Sequence, residues 1–212
     1  MEEVLRETLE IQNWGYNLLT LSFIATVFFT VLQAWGLWKQ NRKIRRERSG
    51  TSVSVISFGY FGSYFFALLA YGVHLKSIAI VFNGLLGCLY IATLVELWKR
   101  KSFTRAEKIL LSIFPFMILL MVATTHKDAL LSLLLGGILI SATREVWELR
   151  REKSAGAIEP RRILVFMATG VFWFLYALKI RNPVLAVFHP VFFVILTYHL
   201  ILWYKKSKES GT

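Results

Sequence analysis

The chain has 212 residues, a formal net charge of +12 and a single cysteine. It is 56% hydrophobic with a mean hydropathy of +0.54, and its apolar residues fall in long blocks, which excludes an ordinary soluble domain. The basic residues lie between those blocks, so the charge points to membrane topology rather than to nucleic acid.

Cys88 alone cannot form an internal disulfide or a cysteine-based zinc site; inside an apolar block it reads as a small packing residue. The first residues are acidic (Glu2, Glu3, Glu7, Glu10), the wrong sign for the start of a signal peptide. In chain order, apolar blocks of bilayer-spanning length occupy residues 16–38, 55–74, 77–97, 109–125, 129–143 with a continuation to 147, 163–178 and 184–204. The expected fold is an all-α polytopic membrane protein with seven transmembrane helices. Trp14, Tyr16, Trp35, Trp38, Trp98, Trp147, Trp203 and Tyr204 lie near the block ends, where amphipathic rings favour the headgroup level. Of the 25 Lys and Arg residues, 20 fall in one alternate set of connections and 5 in the other. That asymmetry predicts an external N-terminus and a cytoplasmic C-terminus, with the plasma membrane as the expected location.

Two stretches repeat an order of features. The first runs Trp38, a basic segment, Ser49-Gly50, an aromatic helix ending at Tyr71, a turn at Lys76, and a last helix with Asn83. The second runs Trp147, a basic segment, Ser154, an aromatic helix ending at Tyr176, a turn with Arg181, and a last helix with His189-Pro190. Ser49 to Tyr71 and Ser154 to Tyr176 have the same spacing of 22 positions. The expected organisation is a three-helix repeat at residues 16–98, a linker helix at 99–126, a second repeat at 127–204 and a tail at 205–212. The odd helix makes the two repeats parallel, one of the standard transporter plans.

This layout resembles the SWEET and PQ-loop family of seven-helix transporters. The resemblance rests on Leu32-Gln33, Ser49-Gly50-Thr51-Ser52, Tyr71-Gly72, Asn83, Trp173 and Tyr176, and covers residues 16–97 and 129–204. The family's Pro-Gln pair survives only as Gln33, and Arg144-Glu145 stand near its place in the second repeat. The resemblance implies a pocket of two asparagines and two tryptophans. Asn83 matches one asparagine and His189 stands for the other; Trp173 matches one tryptophan and Leu68 occupies the other place.

Asn83, Trp173 and His189 are therefore the expected substrate-binding residues. Asn83 could equally be helix–helix glue, Trp173 a core ring, and His189 a neutral histidine bonded to a neighbouring helix. Gln33 and Pro190 are the hinge or gate candidates, since an amide can fix a crossing and a proline frees a backbone carbonyl. Tyr71 and Tyr176 read as interfacial anchors. His74, His126 and His199 read as solvated residues near span ends, and Gly59, Gly62, Gly84, Gly87, Gly136, Gly137 and Gly170 as close-packing positions.

No acidic or basic residue is expected in mid-span. The expected function is facilitated diffusion of a small, polar, uncharged solute, foremost a mono- or disaccharide, by alternating access. An amino-acid-like solute, a non-transporting receptor and a lipid-interacting protein stay open as alternatives. A receptor of the KDEL type is expected to need charges in its pocket. No GxSxG, HExxH or paired intramembrane aspartates occur, so no enzyme, metal or cofactor is expected. The basic clusters Arg42–Arg48 and Lys99–Lys101 would meet anionic membrane lipid, and a homo-oligomer is left open.

Overall fold

The computed structural model describes residues 7–50, 53–152, 155 and 158–209. Thr51, Ser52 and Ser154, which carry part of the repeat and the resemblance, lie outside the described residues. Among the described residues all regular structure is helical. Seven helices are long and apolar enough to cross a bilayer: Leu18–Glu47, Val55–His74, Ile78–Arg100, Arg105–Ala123, Lys127–Arg151, Pro160–Lys179 and Pro183–Glu209. A short helix, Leu9–Gln12, precedes them. The chain is an all-α integral membrane protein.

The first span runs past Trp38 to Glu47, and the fifth runs from Lys127 to Arg151. Both outlast their apolar blocks because Lys, Arg, Gln and Glu are good helix formers once the helix leaves the bilayer. The third span breaks at Leu85, between Ile78–Gly84 and Leu86–Arg100. The fourth breaks at Pro115, between Arg105–Ile113 and Phe116–Ala123, where proline lacks the N–H that would continue the ladder.

The spans are polar inside and apolar outside. The first buries Thr26, Thr30, Gln33 and Gln40 while exposing Leu21, Ile24, Phe28, Val31 and Trp35. In water that pattern would expose the wrong face; in lipid it hides the polar groups and presents hydrocarbon.

The third span lies between the first and second, and the seventh lies between the fifth and sixth. The two triads meet through the first span against the sixth and the second against the fifth. Exchanging the triads turns one of these contacts into the other, as a two-fold relation requires. The fourth span is peripheral: its apolar window is 11% buried, against 78% for the second span, on which it packs.

The turns between the last two helices of each triad match bond for bond. Lys76 and Arg181 have left-handed φ of 52° and 54°. Ser77 N–H donates to Gly72 O at 3.0 Å, and Asn182 N–H to Ala177 O at 2.9 Å. The next helices are capped by Ser77 Oγ, accepting from Ile80 N–H, and by Asn182 Oδ1, accepting from Leu185 N–H. Each of these pairs lies 105 positions apart in the sequence.

Candidate functional site

A cavity lies between the triads, lined by Gln33, Phe61, Tyr64, Phe65, Leu68, Ile80, Asn83, Ile138, Phe166, Gly170, Trp173, Leu185, Phe188, His189 and Phe192. Twelve of these fifteen fall into pairs 105 positions apart: Gln33 with Ile138, Phe61 with Phe166, Phe65 with Gly170, Leu68 with Trp173, Ile80 with Leu185, and Asn83 with Phe188. The register therefore sets Phe188 opposite Asn83, and sets His189 opposite Gly84 rather than opposite the asparagine. Asn83 and His189 lie five and six residues into their helices, about 8–9 Å along the axis at 1.5 Å per residue. The cavity measures about 60 Å³, room for about four to six waters and less than a hexose needs. A bound sugar therefore requires the aromatic walls to part.

The expected site residues have distinct roles in this geometry. Asn83 Nδ2 donates to Thr30 Oγ1 at 3.0 Å and to Gln33 Oε1 at 3.1 Å. Both amide hydrogens thus bind the third span to the first, and the carbonyl oxygen is the group Asn83 has to offer. Gln33 is buried in the same bond and lines the cavity. Trp173 is buried, with its ring nearly parallel to that of His189 (15°, centroids 6.3 Å). His189 has both ring nitrogens closed off from solvent and without a hydrogen-bond partner. Buried polar atoms of this kind cost free energy until something pairs with them. Pro190 is exposed and points away from the cavity, and Pro183–Glu209 continues through it as one helix. It frees the Ala186 carbonyl without breaking the span.

Gly84 lets the second and third spans touch: a Cβ there would lie 2.7 Å from Leu69 Cα. At Gly170 and Gly136 a Cβ would meet nothing within 4 Å, so the expectation of close packing fails at these two. Gly170 instead borders the cavity.

Two further expectations are corrected. Tyr71 and Tyr176 are not interfacial anchors, since both are fully buried. Tyr71 O–H donates to Asp128 Oδ1 at 2.5 Å and accepts from Asn182 Nδ2 at 3.3 Å. Tyr176 O–H donates to Glu10 Oε1 at 2.8 Å. Glu10, 1% exposed, also accepts from Ser77 Oγ and from the Ile78 and Ala79 amides at the start of the third span. The favourable dipole end of that helix explains the buried carboxylate. Tyr71, Tyr176, Ser77, Asp128 and Asn182 line a second cavity of about 290 Å³ at this tyrosine end. Tyr176 touches Trp173, which lines the central cavity, edge to face at 5.5 Å.

His199 is not solvated: it is 1% exposed, with Nδ1 3.9 Å from Glu145 Oε2. Charge is also buried near the ends of two spans. Arg162 Nη2 meets Glu145 Oε2 at 2.8 Å, with both side chains under a tenth exposed. The two residues line a cavity of about 10 Å³ that shares Phe61, Phe166 and Phe192 with the central one.

This pair lies toward the end where the last turns of the odd-numbered core spans carry Arg45, Arg46, Lys99, Arg100, Arg150, Arg151, Lys206 and Lys208. At that basic end the triads are tied together. Lys43 Nζ donates to Ile158 O, and Gln40 Oε1 accepts from Glu159 N–H. Ser54 Oγ donates to Glu148 Oε1, and Ser57 Oγ to Ser141 O. Hydrogen-bonded contacts between the triads thus lie toward both ends of the central cavity. Among the described residues no cluster of His, Cys, Asp and Glu could hold a metal ion. No family model, curated protein or solved structure matches the chain.

Proposed function

We propose that the protein is a transporter that carries a small, polar, uncharged solute across the membrane by alternating access, with sugars as the foremost substrate class. The observation that carries this reading is the central cavity. It lies on the interface of the two triads, its walls come in pairs 105 positions apart, and hydrogen-bonded layers between the triads lie toward both of its ends. Rocking one triad against the other opens one layer while the other holds, as repeat-built transporters do.

The chemistry of the walls supports the solute class. Aromatic and aliphatic surface surrounds a few polar groups, the usual make-up of a small-molecule site. The free nitrogens of His189 and the free carbonyl of Asn83 suit a ligand that both donates and accepts hydrogen bonds. Trp173 supplies a flat face for a ring. No charged residue lines the central cavity, which favours an uncharged solute over a zwitterionic one.

This reading keeps the likeness to SWEET and PQ-loop transporters as part of the proposal, with residues 16–98 and 127–204 as the repeats and 99–126 as the linker. The basic end faces the cytoplasm and the N-terminus faces outward, with the plasma membrane as the site of action. The Glu145–Arg162 pair removes the absence of charge as a reason against a peptide receptor of the KDEL type. The pair is mutually satisfied, however, and the space beside it fits a single water, which leaves a peptide no room.

The test is uptake of radiolabelled glucose and sucrose into proteoliposomes. Saturable downhill uptake that falls at least tenfold in Asn83→Ala and His189→Ala supports a site between the triads. Folded wild-type protein that moves neither sugar sinks the sugar assignment.

A further inference from the structure

The proposed transport leaves one cluster unused: Glu145 on the fifth span, Arg162 on the sixth and His199 on the seventh. Among the described residues, the ion pairs of this cluster are with one another. The third span contributes Tyr90, whose buried hydroxyl has no hydrogen-bond partner. The second contributes the Phe58 ring, 5.2 Å from the guanidinium carbon, together with Phe61. The first contributes Gly36, where an added Cβ would lie 3.2 Å from Arg162 Cα.

One bond joins Arg162 Nη2 to Glu145 Oε2, yet Glu145 Oε1, Arg162 Nε and His199 Nε2 stay buried without partners. Glu145, Arg162 and Tyr90 face the 10 Å³ cavity, which has the size and the polar partners for one water. Phe61, Phe166 and Phe192 line both this space and the central cavity.

With a neutral imidazole the cluster has zero net charge, and one added proton makes it +1. Two groups can take that proton, the Glu145 carboxylate at Oε1 and the His199 imidazole at a ring nitrogen, and each lies within reach of the other. Ionisable residues placed this way inside a membrane mark proton pathways. An ion pair kept only for packing needs no histidine beside its carboxylate and no unpaired atoms facing a water-sized space.

We propose that Glu145, Arg162 and His199 form a proton-binding centre at the basic-end exit of the central cavity, and that movement of solute through the cavity is linked to protonation there. The proton comes from water at one face and leaves to water at the other. Arg162 stays charged throughout and holds the site until the proton neutralises its partner. The link to solute rests on the transporter reading; the binding of the proton does not.

The full chain in nanodiscs is titrated from mildly acidic to mildly alkaline pH and followed by infrared difference spectroscopy. The wild type should show, among its carboxyl C=O bands that appear on acidification, one that shifts in frequency in His199→Gln. The band should be lost in Glu145→Gln and in the charge-neutral pair Glu145→Gln/Arg162→Gln, which spares the fold an unpaired arginine. It should persist in Asp128→Asn. The same band in the Glu145 variants, or no titrating carboxyl in the wild type, overturns the proton-binding centre whatever the transport result. Uptake of glucose that is indifferent to an inward proton gradient, in protein whose Glu145 band titrates, overturns the link alone. Absence of glucose uptake under every gradient counts against the sugar reading, and the titration alone then decides whether the centre stands.

Discussion

The two triads share a backbone plan and differ in what they place on it. At positions 105 apart, the first triad has Gln40, Ser57 and Leu94 where the second has Glu145, Arg162 and His199. The neutral set closes the basic end with ordinary hydrogen bonds; the charged set does so with an ion pair and a histidine. Toward the tyrosine end the contrast runs through size. Leu69 and Gly84 press backbone to backbone in the first triad, while Trp173 and His189 keep two rings side by side in the second. Rings line the cavity from both halves, but the buried ion pair, its histidine and the Trp173–His189 stack belong to the second alone.

The largest effect should come from breaking the charged set. Arg162→Ala strands Glu145 in an apolar surround and should cost about 3–5 kcal/mol, whereas replacing both partners with apolar residues should be near neutral. The counterpart change Ser57→Ala removes one bond to the Ser141 carbonyl and should cost about 0.5–1.5 kcal/mol. Unfolding titrations in micelles measure all three, and equal losses for Arg162→Ala and Ser57→Ala would erase the distinction between the triads.

Next comes packing. Gly84→Ala forces a Cβ to within 2.7 Å of Leu69 Cα and should destabilise by about 1–3 kcal/mol, while Gly170→Ala should leave the midpoint unmoved. Asn83→Ala removes the bonds to Thr30 and Gln33 and should cost about 1 kcal/mol, near the average for polar contacts between membrane helices.

The smallest effect concerns the surface. Lys76 holds the Glu7 carboxyl below its usual range through a hydrogen bond and its charge. A lowered folded-state value means that any contribution is present above the ordinary carboxylate range and is lost as pH falls through the lowered one. Both side chains are more than half exposed, so Lys76→Ala should leave the unfolding midpoint unchanged at neutral pH.

Much of this was legible in the sequence. Seven apolar blocks gave seven spans because backbone in lipid has few alternatives to helix. The span ends were misplaced where Lys and Arg carried the helix onward, as at Glu47 and Arg151. Asn83, Gln33, Trp173 and His189 were legible as polar or aromatic residues deep in spans, and all four line the cavity.

The charged trio was missed because each member lies near the end of a span beside a basic segment, where it reads as solvated. Only folding brings residues 17 and 54 positions from Glu145, namely Arg162 and His199, against it. The 105-residue offset was the available signal, since it pairs Glu145 and Arg162 with Gln40 and Ser57, both buried. Glu10 was hidden in the same way: nothing in its acidic neighbours foretells a carboxylate capping the third span.

The most direct test of a two-sided cavity needs no substrate. Cys88, which is exposed, is replaced by Ser, and Gly170→Cys is introduced where a Cβ meets open space. A membrane-impermeant maleimide is then applied to oriented proteoliposomes from each side separately. Alternating access predicts labelling of the introduced thiol from both faces, slowed by the same solute that is carried. A thiol that stays unlabelled from either face, in folded protein, would contradict the account.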